Sequence, residues 1–118
     1  MSETTKSQPQ HARERRFKRY PYDVRAEVAV FRDGEITRLW GRTNEIAEDG
    51  LGATVTSELK LGEVVSVEFP IPIPPRMMKL RAIVRYSHGL RCGFEFLILT
   101  AEQRETMRQL CDSLAMSS

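Results

Sequence analysis

Two arginines near the N-terminus and a polar turn further along the chain are the residues best suited to chemistry. Arg15 and Arg19 stand four positions apart, so in an extended segment both side chains point the same way. Each guanidinium presents a planar fork of N–H donors that binds phosphate oxygens or a guanine edge, and it also stacks on purines. The polar turn spans residues 44–50 and ends in Gly50. Together these segments predict a site for a small phosphorylated ligand.

Basic charge is concentrated in the same N-terminal segment. Residues 11–20 hold five Arg or Lys side chains against Glu14 alone, a local charge of +4. The 118-residue chain carries +2 with neutral histidines, so the remainder carries −2. A protein that binds nucleic acid through a folded face usually spreads basic residues over that face. The basic character therefore belongs to the arm, residues 13–21, and we do not expect nucleic acid as the partner.

Length and composition predict a single domain. The chain is 41% hydrophobic and 29% charged, which is ordinary for a soluble protein. It has no apolar run of about 18 residues, the length that a membrane span requires. Residues 1–6 lack the apolar segment of a secretory signal. We therefore expect a cytoplasmic protein, in which Cys92 and Cys111 are buried, reduced thiols at apolar-facing positions.

Alternating apolar residues predict six short strands. The first begins at Val24 and alternates through Val30. Asp33-Gly34 is a strong signal for a two-residue hairpin, which leads into a second strand at about 35–43. The other four strands are predicted near 51–55, 65–69, 80–86 and 92–96, the fifth alternating up to Tyr86. Because proline donates no ladder hydrogen bond, we expect the prolines between 70 and 75 to end the fourth strand and to form a loop or a sheet edge.

One helix is predicted after the strands. Thr100 followed by Gln103 forms a capping box, in which each side chain bonds the other residue's backbone N–H. The apolar stripe of the helix, which we expect to pack on the sheet, is formed by Met107, Leu110, Cys111 and Leu114. The predicted fold class is therefore mainly β: a six-stranded antiparallel β-barrel with one C-terminal α-helix.

Domain boundaries follow from the same patterns. Residues 1–12 are polar without apolar periodicity and are predicted to be a disordered tail. The folded domain is predicted at 13–116, with the arm at 13–21, the barrel at 22–98 and the helix at 100–115. Proline at position 21 favours an extended Tyr20, so we expect the arm to enter the barrel without a helix.

The sequence holds no arrangement typical of an enzyme. His11 falls in the tail and His88 in a tight turn, and no Cys, His and Asp residues cluster at metal-ligand spacing. A nucleophile elbow, a phosphate-binding glycine loop and a dinucleotide fingerprint are all absent. We expect no catalytic residue, no metal site and no cofactor.

Four motifs in order resemble the PilZ domain, the bacterial receptor module for cyclic di-GMP. That family has an R-x-x-x-R arm, a (D/N)-x-S-x-x-G turn, a six-stranded barrel and a C-terminal helix. Arg15 and Arg19 match the arginines, and Gly50 matches the turn glycine. Residues 51–53 match the small apolar segment after the turn, and 93–96 match the closing G-x-x-F segment. The resemblance runs from about 13 to 114 and is that of a single-domain member.

The turn departs from the family pattern at two positions, so the second motif is degenerate. Aligned on Gly50, Glu45 stands for Asp or Asn, and Ala47 stands for Ser. In the family these side chains hold one guanine and help to orient the arginines. Glu45 keeps an acceptor for guanine N1–H and N2–H₂. Ala47 loses a hydrogen bond worth about 0.5–1.5 kcal/mol, or about 3- to 12-fold in affinity.

The resemblance implies a cyclic di-GMP receptor that orders its arm on binding and signals to a downstream protein in trans, because no output domain follows. The ligand-binding residues that it implies are Arg15, Arg19, Glu45 and Gly50, with Arg16, Asn44 and Ala47 as further candidates. Asn44 would supply the amide if the turn shifted by one residue. Two simpler explanations stand beside these: Gly50 as a turn glycine with positive φ, and Trp40 as a packed strand residue.

Two other functions fit the same residues. The first is a PilZ-like adaptor that works by protein contacts and no longer binds nucleotide, which the substitution at Ala47 favours. The second uses the basic arm to touch nucleic acid or an anionic membrane without specificity, with a steep dependence on salt.

Overall fold

The computed structural model describes residues 17–117, which form seven strands and one helix. The elements are β1 Tyr20–Pro21, β2 Arg25–Arg32, β3 Glu35–Ala47, β4 Gly50–Val55, β5 Val64–Pro72, β6 Pro75–His88, β7 Arg91–Phe96 and α1 Ala101–Ser117. Arg15, Arg16 and the predicted tail lie outside the described residues. The five described residues that lead to Pro21 contain no helix, as predicted from the proline.

Six of the strands close into a barrel. The antiparallel order β3-β2-β5-β6-β7-β4 returns to its start because β4 also pairs with β3. The two-residue β1 pairs with the end of β3, through Tyr20↔Ile46 and Pro21↔Glu45, and is not part of this ring. The predicted fold class, a six-stranded antiparallel barrel with one C-terminal helix, is confirmed. The one helix within residues 17–117 is not long and apolar enough to cross a membrane.

The first hairpin forms as its sequence predicts. Asp33 and Gly34 have φ values of 51° and 78°, the left-handed conformation that a type I′ turn needs at both central positions. Arg32 and Glu35 are cross-strand partners on either side of the turn. The second strand is longer than predicted, with 13 residues, and it runs to Ala47 at the polar turn.

The prediction that the prolines end the fourth strand is wrong. β5 continues through Pro70 to Pro72, and β6 starts at Pro75. The pairing of β2 with β5 ends at Glu68, so the edge beyond it carries no ladder. The Pro70 carbonyl accepts a hydrogen bond from the Tyr22 hydroxyl, 2.7 Å away, at this edge. Since the N and O atoms of one residue face the same edge of an antiparallel strand, the Pro70 nitrogen interrupts no bond to β6.

The helix packs as its apolar stripe predicts. The Thr100 hydroxyl accepts from the Gln103 N–H at 3.0 Å, and the Gln103 side chain accepts from the Thr100 N–H at 2.9 Å. Met107, Leu110 and Cys111 are buried in the interior, and the helix lies against β1 and β3. Cys92 and Cys111 are both free and buried, as expected from the sequence.

Candidate functional site

The pairing of β1 with β3 brings the arm to the polar turn. The link between β1 and β2 is fixed by Thr43, whose N–H donates to the Val24 carbonyl at 2.8 Å and whose hydroxyl accepts from the Val24 N–H at 3.0 Å. Arg19, which immediately precedes β1, donates from Nη1 to Glu45 Oε2 at 2.6 Å. Two residues that the sequence predicted as ligand-binding, one from the arm and one from the polar turn, are therefore in direct contact.

An open pocket of about 590 Å³ lies beside this ion pair. Arg19, Ala47 and Gly50 line one side of it. The other side is formed by β6 and β7, with Arg85, Tyr86 and Glu95 as its polar side chains. Three residues of the predicted set thus share one pocket, and Glu45 is bonded to one of them.

Gly50 is required by close packing and not by its φ angle. The positive-φ glycines among residues 17–117 are Gly34, Gly62 and Gly89, so the sequence-based explanation of Gly50 by positive φ is wrong. Gly50 pairs with Glu95 across β4 and β7, and a Cβ atom there would overlap the Phe94 carbonyl oxygen. The glycine therefore lets the turn lie directly against the backbone of β7.

The longer side chain of Glu45 is accommodated by another glycine. Gly52 is the cross-strand partner of Glu45. A Cβ atom at Gly52 would lie 3.4 Å from Glu45 Cγ, 3.5 Å from Glu45 Oε2 and 3.5 Å from the Tyr86 hydroxyl oxygen. The carboxylate and the phenol therefore converge over a strand position that has no side chain. The extra methylene of Glu45, relative to Asp, fits in this space.

Asn44 faces a different part of the surface. The register between β3 and β4 shifts between Thr43 and Glu45, so Asn44 lies in a bulge. Its side-chain oxygen accepts from the Thr54 hydroxyl at 3.4 Å, and it lines a second pocket with Arg42 and Arg91. The structure thus places Asn44 on the far side of the bulge from the Arg19 pocket.

Tyr86 and Arg85 belong to the pocket, although sequence reasoning did not select them. The register between β6 and β7 shifts between Val84 and Tyr86. Without this bulge Tyr86 would continue the inward series that ends at buried Val84; with it, both Arg85 and Tyr86 are exposed. The Tyr86 ring covers Gly93, where a Cβ atom would overlap it. The signal in the sequence that could have identified Tyr86 as a surface residue was Gly93, the glycine in the neighbouring strand.

The charges on the described wall of the pocket are balanced. Arg19 and Arg85 supply two positive charges, whereas Asp49 and Glu95 supply two negative ones. Arg85 Nε donates to Glu95 Oε1 at 2.6 Å. This part of the pocket alone offers little net charge for a dianionic ligand, so further cations are needed. The predicted source is the preceding arm, which contains Arg15 and Arg16.

The rest of the turn lies next to the helix. Burial, together with the negative charges of Glu48, Asp112 and Asp49, raises the pKa of the Cys111 thiol to about 12. Cys111 is therefore protonated at neutral pH and is a packing residue rather than a nucleophile. Within residues 17–117, no three His, Cys, Asp or Glu side chains are grouped so as to hold a metal ion.

The fold is that of a small barrel module with a pocket at the junction of its arm and its polar turn. The family profile described as "PilZ domain" matches residues 13–113. The chain therefore belongs to the PilZ domain family, whose members are ligand-binding modules. No curated protein sequence matches the chain.

Three solved structures show the same fold. The PilZ domain of YcgR from Escherichia coli, described with c-di-GMP, is 15% identical, with a TM-score of 0.71 over 87% of this chain and 92% of that one. The PilZ domain of CeSA from a cellulose-synthesizing bacterium is 20% identical, with a TM-score of 0.65 over 83% and 98%. The Bacillus subtilis inhibitor of motility (MotI/DgrA) is 17% identical, with a TM-score of 0.69, covering 88% of this chain and 52% of that one.

Proposed function

We propose that this chain is a receptor for cyclic di-GMP. The observation that carries the proposal is the contact between Arg19 and Glu45 at the edge of the pocket, because these residues occupy matching positions in the two ligand motifs of the family. The YcgR domain that shares the fold is described with the same ligand. PilZ membership and the absence of an enzyme-like motif both favour a binding module over an enzyme.

The existing ion pair would not prevent ligand binding. The side chains of Arg19 and Glu45 are 50% and 35% exposed, and an ion pair in such a setting contributes about 0–1 kcal/mol. Arg19 would exchange the carboxylate for a phosphate or a guanine edge. The carboxylate of Glu45 would accept from guanine N1–H and N2–H₂, and the Tyr86 ring offers a face for stacking.

The arm would supply the remaining charge and the signal. Two phosphates carry two negative charges, which the balanced wall around Arg85 does not neutralise by itself. Arg15 and Arg16 would add cations from the arm, and their ordering over the barrel would create a new surface for a downstream protein. The reduced state of Cys92 and Cys111 fits the proposed cytoplasmic location.

The alternative is an adaptor that no longer binds nucleotide. It is favoured by Ala47, a buried methyl group on the pocket wall where the family motif has a hydroxyl. This reading predicts that an Arg15→Ala/Arg19→Ala variant recovers the same partner protein in a pull-down as the unchanged chain. Loss of that partner in the variant would count against it.

Isothermal titration of cyclic di-GMP into the full chain tests the proposal. We expect saturable binding, and we expect it to be lost in Arg15→Ala/Arg19→Ala. The matched control is Lys79→Ala/Arg81→Ala, which removes the same charge from exposed positions on β6 outside the pocket. No heat from the folded, unchanged chain at low salt and micromolar ligand would overturn the receptor function and leave the adaptor. Equal losses in both double variants would show a general charge effect instead.

A further inference from the structure

One face of the β2–β3 hairpin combines exposed apolar and basic side chains. Ala26, Val28 and Val30 point into the barrel, so the residues between them on β2 point outward. We name the outer surface the hairpin face, and its large apolar and basic residues are Arg25, Phe31, Ile36, Arg38, Trp40 and Arg42. None of these residues lines the pocket beside Arg19.

Three large apolar side chains on the hairpin face are open to solvent. Phe31 and Ile36 are direct cross-strand partners, and they are 69% and 60% exposed. Trp40, on the same face of β3, is 46% exposed, so it packs on the strand surface and not in the core. Single exposed apolar residues are normal, but several on one face mark a contact surface. Trp is also among the residues that contribute most to binding at interfaces.

The arginines of the hairpin face are held in place and keep unused donors. The guanidinium of Arg25 lies over the Trp40 ring at 4.2 Å from its centroid. Arg38 Nη1 is 3.8 Å from Glu27 Oε2, which is longer than a hydrogen bond. Arg42 donates from Nε to Asp23 Oδ1 at 2.7 Å. The three arginines of the hairpin face stand against two carboxylates, Glu27 and Asp23, so the face is net positive.

We propose that the hairpin face binds an acidic segment of a partner protein that also carries apolar side chains. The acidic groups would pair with Arg38 and Arg42, and the apolar groups would cover Phe31, Ile36 and Trp40. A second copy of this chain fits less well, because the face has more arginines than carboxylates and a symmetric contact would leave arginines without an opposite charge. Glu27 and Asp23 alternate with the arginines, so the face favours a partner whose charges are fixed in one complementary order. A protein segment meets this condition better than an anionic membrane does.

This inference does not depend on the proposed receptor function. The hairpin face occupies the first part of β3, and Glu45 lies beyond the bulge at Asn44. Partner binding through this face requires neither Arg19 nor the ligand. Titration of cyclic di-GMP into the hairpin-face variants below therefore separates failure of one proposal from failure of the other.

A displayed library of random 16-residue peptides, selected on the full chain, tests the proposal. We expect the enriched peptides to be acidic and to contain aromatic or aliphatic residues. Trp40 is the single tryptophan of the chain, so tryptophan-free peptides that dock here should shift its fluorescence emission. Arg38→Ala/Arg42→Ala and Phe31→Ser/Ile36→Ser should each weaken the selected peptides about tenfold or more. The control Lys79→Ala/Arg81→Ala should change their affinity less than about twofold.

Several outcomes would overturn the proposal. They are the absence of enriched peptides, enrichment without acidic bias, and binding that is indifferent to the hairpin-face variants. A Trp40 shift with phosphatidylglycerol vesicles but with no peptide would assign the face to a membrane. Concentration-dependent dimers in sedimentation, lost in Phe31→Ser/Ile36→Ser, would assign it to a second copy. Circular dichroism of each variant checks that the barrel is retained.

Discussion

Two Arg–Glu pairs lie at opposite ends of β3, and they differ in what surrounds them. Arg19–Glu45, at the end of the strand, has one bond of 2.6 Å and side chains that are 50% and 35% exposed. Arg32–Glu63, beside the start of the strand, has two bonds of 2.8 Å and side chains that are 32% and 19% exposed. Glu63 also accepts from the Lys60 N–H at 2.8 Å.

The difference shows how one type of ion pair serves two purposes. Two N–H groups of Arg32 donate to the two carboxylate oxygens of Glu63. Together with the bond from the Lys60 N–H, these bonds lower the pKa of the Glu63 carboxyl to about 2. This pair joins the hairpin to the segment before β5 and has little capacity left for a ligand. Among residues 17–117, the Arg19–Glu45 pair makes a single hydrogen bond between its side chains, and it borders a pocket.

Gly50→Ala is the largest expected perturbation near the Arg19–Glu45 pair. It tests whether the backbone beneath this exposed ion pair is closely packed. The added Cβ would overlap the Phe94 carbonyl oxygen, so we expect the free energy of unfolding to fall by about 3 kcal/mol. Urea unfolding measures this change. Gly52→Ala is the matched control, because its Cβ would meet Glu45 and Tyr86 at ordinary contact distances of 3.4–3.5 Å. Equal stability of the two variants would contradict the close-packing argument.

Arg19→Ala and Arg32→Ala test the two pairs directly. Loss of charge-assisted bonds in Arg19→Ala should weaken cyclic di-GMP by about 10- to 150-fold. It should change the free energy of unfolding by less than about 0.5 kcal/mol. Arg32→Ala should lower stability and leave ligand affinity unchanged. Titration calorimetry and urea unfolding of both variants give the four values. A stability loss in Arg19→Ala equal to that in Arg32→Ala would abolish the distinction between the pairs.

Glu63→Gln should alter the dependence of stability on pH. Because its folded pKa is lowered from 4.5 to about 2, Glu63 contributes stability that is fully present above about pH 4.5 and is lost as pH falls through about 2. We expect the variant to be less stable by about 1 kcal/mol at neutral pH and to approach the unchanged chain near pH 2. Thermal unfolding between pH 2 and 7 measures the difference. A constant difference across this range, or the same profile in exposed Glu58→Gln, would contradict the assignment.

Ala47→Ser is the smallest expected change. It tests whether the turn beside the Arg19–Glu45 pair can bind the proposed ligand more tightly. Restoring the hydroxyl of the family motif should strengthen cyclic di-GMP binding by about 3- to 12-fold. Because Ala47 is buried, the added hydroxyl should lower the free energy of unfolding of the ligand-free chain by about 1 kcal/mol. Titration calorimetry measures the gain. Thr54→Ser, at an exposed position outside this pocket, is a control. Unchanged or weaker binding in Ala47→Ser would show that the turn no longer holds a guanine in the family manner.

Features encoded by neighbouring residues were predictable from the sequence. The Asp33-Gly34 turn and the Thr100–Gln103 cap depend on two to four residues each, and both formed as expected. Arg19 and Glu45, which the motif spacing assigned to one site, are also in contact. Features set by cross-strand register were missed. The bulge that turns Tyr86 outward depends on β7, and the passage of β5 through Pro70 depends on where β2 stops.

The two-residue strand β1 lies outside the closed ring. The free energy of attaching the arm is therefore separate from the free energy of unfolding the barrel. The ladders that close the ring of β2–β7 include neither Tyr20 nor Pro21, which pair only with the end of β3. We therefore expect that the arm can detach without global unfolding of the barrel. A melting curve will register little of this equilibrium, whereas the rate of tryptic cleavage after Lys18 and Arg19 reports it directly. For the proposed receptor, protease susceptibility is therefore a better measure of arm attachment than melting temperature.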